Sequence, residues 1–106
     1  MDLLNKIFGL DIESIEAVKI DELLKDGAYI LDVRTKEEIS EKNIPGTKNI
    51  PLDRLAKEYE KIPNDQKIYL LCRSGRRSFE AARFLKAKGY DPVNISGGIL
   101  EYFKNK

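Results

Sequence analysis

Histidine and tryptophan are absent from the 106 residues, and cysteine occurs once. Without histidine there is no Ser-His-Asp triad, no Cys-His protease pair and no imidazole zinc site. One cysteine cannot close an internal disulfide or build a thiolate cluster, so no metal site is expected, and a reducing compartment suits the chain better than an oxidising one. A cytoplasmic location is the resulting expectation. No apolar run is long enough to span a bilayer. Basic and acidic side chains nearly cancel, 19 against 18, for a net charge of +1. That balance excludes bulk attraction to nucleic acid or to an anionic membrane surface.

What is present is enough apolar material, 42% of residues, for one core. The apolar opening stretch is a poor signal peptide, because Asp2, Asn5 and Lys6 interrupt it and no small-residue cleavage pattern follows. The pairs Leu3/Ile7 and Leu4/Phe8 have helical spacing, so residues 1–12 are expected to be an extension containing a short helix, with the domain proper at 13–106.

Beyond it, β-prone runs alternate with helical patterns, the signature of strand-helix units wound into a parallel α/β sheet. Strands are predicted at Ala28–Val33, Thr47–Ile50, Ile68–Leu71 and Val93–Ile95, with a fifth at Ala17–Ile20. Helices are predicted from Lys36 to Lys42, from Leu52 to Ile62, across Ser78, Ala81, Ala82 and Leu85 up to Gly89, and from Ile99 to Phe103. Upstream, Asp21 is expected to cap a helix that Gly27 ends.

The Ile68–Leu71 run is apolar on both faces, as a central parallel strand should be, and it ends at Cys72. In such sheets ligands bind beyond the carboxyl ends of the strands, where loops enter helices. Arg73-Ser74-Gly75-Arg76-Arg77-Ser78 follows, a flexible centre among three guanidinium groups. Gly75 lets successive N–H groups curl around one point, an anion cradle. The helix start and the arginines favour negative charge, and cysteines so placed have pKa values lowered from about 8.5 to roughly 3.5–7.5. Cys72 is therefore a candidate nucleophile that needs no histidine. The competing expectation is a small buried hydrophobe, but a structural cysteine has no use for three arginines crowding a helix start.

These residues resemble the rhodanese-like family of single-domain sulfurtransferases. The likeness rests on Cys72 to Ser78 as the active-site loop, together with Leu31-Asp32-Val33-Arg34, Glu37-Glu38, Ile44-Pro45-Gly46, Asn49-Ile50-Pro51 and Gly97-Gly98-Ile99, in the family's order. It covers about Glu13 to Tyr102. Asn43 and Tyr102 depart from the family's usual histidine and tryptophan.

The resemblance implies a three-layer α/β/α sandwich around about five parallel strands. It further implies a Cys72 persulfide that takes sulfur from a small anionic donor such as thiosulfate or polysulfide and yields it to a thiol, cyanide or protein acceptor, with no cofactor. Arg73, Arg76 and Arg77 would hold the donor with the loop N–H groups. Asp32 and Arg34, at the carboxyl end of another strand, could line the site, but are expected first to brace the loops as a cap and an ion pair, and Gly97 and Gly98 to be turn residues that bring backbone close to the site.

Two other readings compete. A cysteine-dependent phosphatase or arsenate reductase needs an arginine six residues after the cysteine; here that residue is Ser78, and Arg77 comes one position early. A non-catalytic or sulfur-relay binding module is the second, since fold alone does not establish function.

Overall fold

The computed structural model describes residues 3, 11–104 and 106. The short helix expected over residues 1–12 lies, apart from Leu3, Asp11 and Ile12, outside the described residues.

Five parallel strands form one sheet: β1 Glu13–Glu16, β2 Tyr29–Asp32, β3 Lys48–Asn49, β4 Lys67–Leu71 and β5 Asp91–Ser96, in the order β1-β5-β4-β2-β3. This is the expected α/β architecture. The helices are α1 Ile20–Lys25, α2 Lys36–Glu41, α3 Leu55–Glu58, α4 Arg76–Ala87 and α5 Gly98–Lys104. Central β4 pairs with β2 on one side and β5 on the other, Leu70 standing opposite both Leu31 and Asn94. From β2 the chain runs outward to β3, and from β4 it runs the other way to β5. The β2/β4 boundary is therefore the switch point at which such sheets open a crevice.

Strand side chains alternate between faces, and both faces are covered. Ile68, Leu70 and Cys72 point to one side and pack with Leu31, Val33, Leu55, Ala81, Ala82 and Leu85. Leu71 points to the other and packs with Ala17, Ile20, Ile30, Ile95 and Ile99. The small residues Ala81 and Ala82 let α4 lie close on the sheet, and burying leucine or isoleucine in such a layer contributes roughly 1.5–3 kcal/mol each.

Three local expectations are corrected. Ala17–Ile20 is not a strand: Ala17–Lys19 forms a 3-10 turn running into α1, and the edge strand is Glu13–Glu16. Ala17 and Ile20, three apart, are both buried, which a helical turn satisfies and alternation does not. Asp21 does not cap α1; Lys19 is the N-cap residue, and Asp21 in the first turn accepts hydrogen bonds from Tyr102 Oη, at 2.5 Å, and Lys106 Nζ. The single helix expected from Leu52 to Ile62 is broken into a 3-10 turn, the one-turn α3 and a second 3-10 turn, Tyr59–Lys61. Tyr90 Oη holds the end of that run by donating toward Tyr59 O and Ile62 O.

Candidate functional site

The loop after β4 is built around the Cys72 sulfur. Gly75, buried, takes φ +100°, a left-handed conformation that favours glycine, and serves as the N-cap residue of α4. A Cβ there would meet Gly97 N at 3.2 Å and Ile95 O at 3.4 Å. That turn directs Gly75 N–H onto Cys72 Sγ at 3.0 Å, while the N–H groups of Ser74 and Ser78 also face the sulfur. Cys72 Sγ lies 3.3 Å from Ser78 Oγ. Burial, with the residue 1% exposed, is the strongest influence on the thiol and opposes ionisation. The Ser78 hydroxyl and the three N–H groups outweigh it, holding Cys72 below the ordinary thiol range.

The first turn of α4 contains no acidic residue and carries Arg76 and Arg77. Cations there oppose the helix dipole and are relieved by an anion in the cradle. The three arginines are not equivalent. Arg77 places Nη1 and Nη2 on Glu38 Oε1 and Oε2 at 2.7 and 2.8 Å, joining α4 to α2, and the Arg77 fork holds the Glu38 carboxyl down to about 2. Arg73 and Arg76 are exposed, and among the described residues neither forms an ion pair. Ser74 is exposed and Ser78 buried.

Asp32 and Arg34 stand at the end of β2, both buried. Arg34 Nε donates to both carboxylate oxygens of Asp32 at 3.1 Å, and Nη2 donates to Asp32 Oδ2 at 2.9 Å. The same guanidinium reaches Glu38 O and Lys42 O, so the ion pair braces α2. The helix cap itself is Thr35, in a reciprocal box with Glu38. Asn49 Nδ2 adds bonds to Asp32 O and Arg34 O.

Behind the loop, Gly98 begins α5 at close range: a Cβ there would stand 2.3 Å from Cys72 O and 2.6 Å from Arg73 O. Ile99 N–H donates to Cys72 O at 2.9 Å and Leu100 N–H to Arg73 O at 3.1 Å. Gly97, at φ +80°, forms the turn before it. A cleft of about 300 Å³ opens beside Gly97, but Glu16 and Glu101 line it and repel an anion. Positive charge is instead exposed on the Arg73 and Arg76 side.

Two polar partners escaped the sequence reading. Asn94, in the apolar run of β5, accepts from Ser78 Oγ at 2.6 Å and donates to Gly75 O at 3.1 Å. A polar residue between Val93 and Ile95, near the carboxyl end of a buried strand, was the available signal. Glu38 was legible only as part of a family motif, because nothing in the chain places it against a residue 39 positions later.

A model of the rhodanese-like domain matches residues 16–105. A sulfurtransferase from Allochromatium vinosum is 31% identical over 97 residues, covering 89% of this chain and 91% of the relative. A rhodanese-like domain protein from Staphylococcus aureus superposes with a TM-score of 0.80 at 31% identity, over 86% of this chain and 91% of that one. An NAD-dependent persulfide reductase from A. fulgidus is 37% identical at a TM-score of 0.73, over 94% of this chain and 17% of that one.

Proposed function

The chain belongs to the rhodanese-like domain family, which includes sulfurtransferases, and from that premise we propose that its domain, residues 13–106, transfers sulfane sulfur through a persulfide on Cys72. The observation that carries this reading is the convergence of the Gly75, Ser74 and Ser78 N–H groups on Cys72 Sγ. Such a cradle stabilises a thiolate and, equally, the negative charge of a persulfide.

With thiosulfate, the Cys72 thiolate attacks the outer sulfur, the S–S bond of the donor breaks, and sulfite departs with the bonding pair. The products are Cys72–S–S⁻ and sulfite, three negative charges before and after. An acceptor thiolate or cyanide then attacks the outer sulfur and returns the Cys72 thiolate, a ping-pong cycle. Arg73 and Arg76 draw in the anionic donor and steady the leaving oxyanion. Arg77, engaged by Glu38, holds the loop against α2 and contributes its charge at a distance.

The phosphatase alternative is disfavoured by the short loop, in which Ser78 and not an arginine occupies the sixth position. Small anionic donors, thiol or protein acceptors and a cytoplasmic setting complete the proposal. Among the described residues no helix is long and apolar enough to cross a membrane.

The test is mass spectrometry of the protein mixed with thiosulfate or polysulfide, alongside the thiosulfate-to-cyanide assay. The expected result is a gain of one sulfur, removed by added thiol, with both adduct and turnover lost in Cys72→Ser. Turnover of p-nitrophenyl phosphate with no sulfur adduct would replace this reading.

A further inference from the structure

The Ser78 hydroxyl has one proton and two claimants. Ser78 Oγ lies 2.6 Å from Asn94 Oδ1 and 3.3 Å from Cys72 Sγ. The Asn94 amide cannot turn to relieve this, because Nδ2 donates to Gly75 O at 3.1 Å and a flipped amide would set its oxygen against that carbonyl. Asn94 therefore presents an acceptor to Ser78. The order of donors that satisfies every atom is Cys72 S–H to Ser78 Oγ, then Ser78 O–H to Asn94 Oδ1. All three side chains are buried, so water does not supply a substitute.

That order is complete only for the neutral thiol. A thiolate has no proton to donate and is best served by the Ser78 O–H, which must then leave Asn94 Oδ1 without a donor. We infer that Asn94 is a positioning residue that competes with Cys72 for the Ser78 proton, biasing the resting enzyme toward the thiol and setting the pH at which its nucleophile forms. On ionisation the Cys72 proton passes to solvent, and the Ser78 O–H rotates from Asn94 to the sulfur. A persulfide moves the negative charge outward to its terminal sulfur, so the inner sulfur asks less of Ser78 and Asn94 recovers its donor. Asn94 thus favours the two states in which the inner sulfur carries little charge.

The inference deepens the reading of Cys72 as a nucleophile, and its test needs no sulfur donor, so the two fail separately. The charged groups on the elements packed about the loop are Arg73, Arg76 and Arg77 on the loop and its helix, Asp32, Arg34 and Glu38 at the end of β2 and on α2, and Glu101 on α5; the variants leave all of them in place. Iodoacetamide alkylation of the full-length protein is followed against pH. Removing the competing acceptor in Asn94→Ala should lower the midpoint by roughly one pH unit, the scale of one hydrogen bond to a charged acceptor. Ser78→Ala should raise it, and Asn94→Ala added to Ser78→Ala should change nothing further. Asn94→Val, whose branched side chain suits a strand, should reproduce the single-variant result.

An unchanged or raised midpoint in Asn94→Ala overturns the inference. So does a lowered midpoint that persists without Ser78, which would mean that the variant acts through the loop backbone. In the unmodified protein, the S–H stretching band below the thiol pKa should show a hydrogen-bonded donor and revert toward a free thiol in Ser78→Ala. A band already at the free position in the unmodified protein also defeats it.

Discussion

Arg77 grips Glu38 with both Nη atoms, at 2.7 and 2.8 Å, and so ties the first turn of the helix that follows the Cys72 loop to the helix that follows β2. The pair is bidentate and partly shielded, with the Glu38 side chain 27% exposed. Its neighbours differ in how far they are committed: Arg77 is held, Arg73 and Arg76 face solvent.

That pairing has a pH signature. The Glu38 carboxyl is held to about 2 in the folded chain, against about 4.3 for an unperturbed glutamate. A depressed carboxylate contributes stability above its unfolded pKa and loses it as pH falls through the folded value. Urea unfolding at neutral pH should therefore find Glu38→Gln less stable than the unmodified protein by about 1 kcal/mol, discounted for partial exposure. The difference should shrink from about pH 4 downward and vanish near pH 2. A gap that is constant across this range would show that the pair contributes nothing through charge.

Arg34→Lys should be costly although it conserves charge. The guanidinium satisfies Asp32, Glu38 O and Lys42 O at once from a buried position, which a single ammonium cannot reproduce. Leaving Asp32 imperfectly paired should destabilise the domain by about 3 kcal/mol, read from the urea midpoint. A loss below about 1 kcal/mol would mean that lysine restores the brace.

Gly98→Ala tests the close approach behind the site. The new methyl would stand 2.3 Å from one backbone oxygen and 2.6 Å from the next, so the chain has to move. The expected loss exceeds about 3 kcal/mol. Gly89→Ala is the control, because Gly89 also has positive φ but nothing lies within 4 Å of its Cβ position. It should cost only the backbone strain, about 1 kcal/mol.

Cys72 itself should alkylate with a midpoint below the value of about 8.5 seen for unperturbed cysteine. Burial resists the charge, but Ser78 and the loop N–H groups prevail. Because an acid with a lowered folded pKa adds stability as pH rises, the unmodified protein should gain on Cys72→Ser between the folded and unfolded pKa values and hold that gain above them. Stability curves of the two proteins that run parallel through this interval would contradict the depressed pKa.

The sheet was largely legible because Tyr29–Asp32 and Lys67–Leu71 carry continuous apolar cores, and Asp91–Ser96 one interrupted by Asn94 alone, bounded by turn residues. The Cys72 loop was legible because glycine, arginine and serine types cluster within seven residues. What escaped the sequence was set by long-range packing. Ala17–Lys19 has strand-like composition but folds as a turn, because Ala17 and Ile20 must both reach the α5 face of the core. The run after Leu52 has helical spacing but breaks into short turns; its one deeply buried anchor within α3 is Leu55. Asn94 and Glu38 take their meaning from partners 16 and 39 positions away, which periodicity cannot relate.

The two hydrogen bonds from Ile99 and Leu100 to Cys72 O and Arg73 O make α5 a handle on the Cys72 turn. Tension applied at Lys104 is delivered through about two turns of rigid helix to the carbonyls flanking the sulfur. Any displacement of α5 is thereby passed to the backbone of Cys72 and Arg73, from the far side of the loop that Arg73 and Arg76 expose.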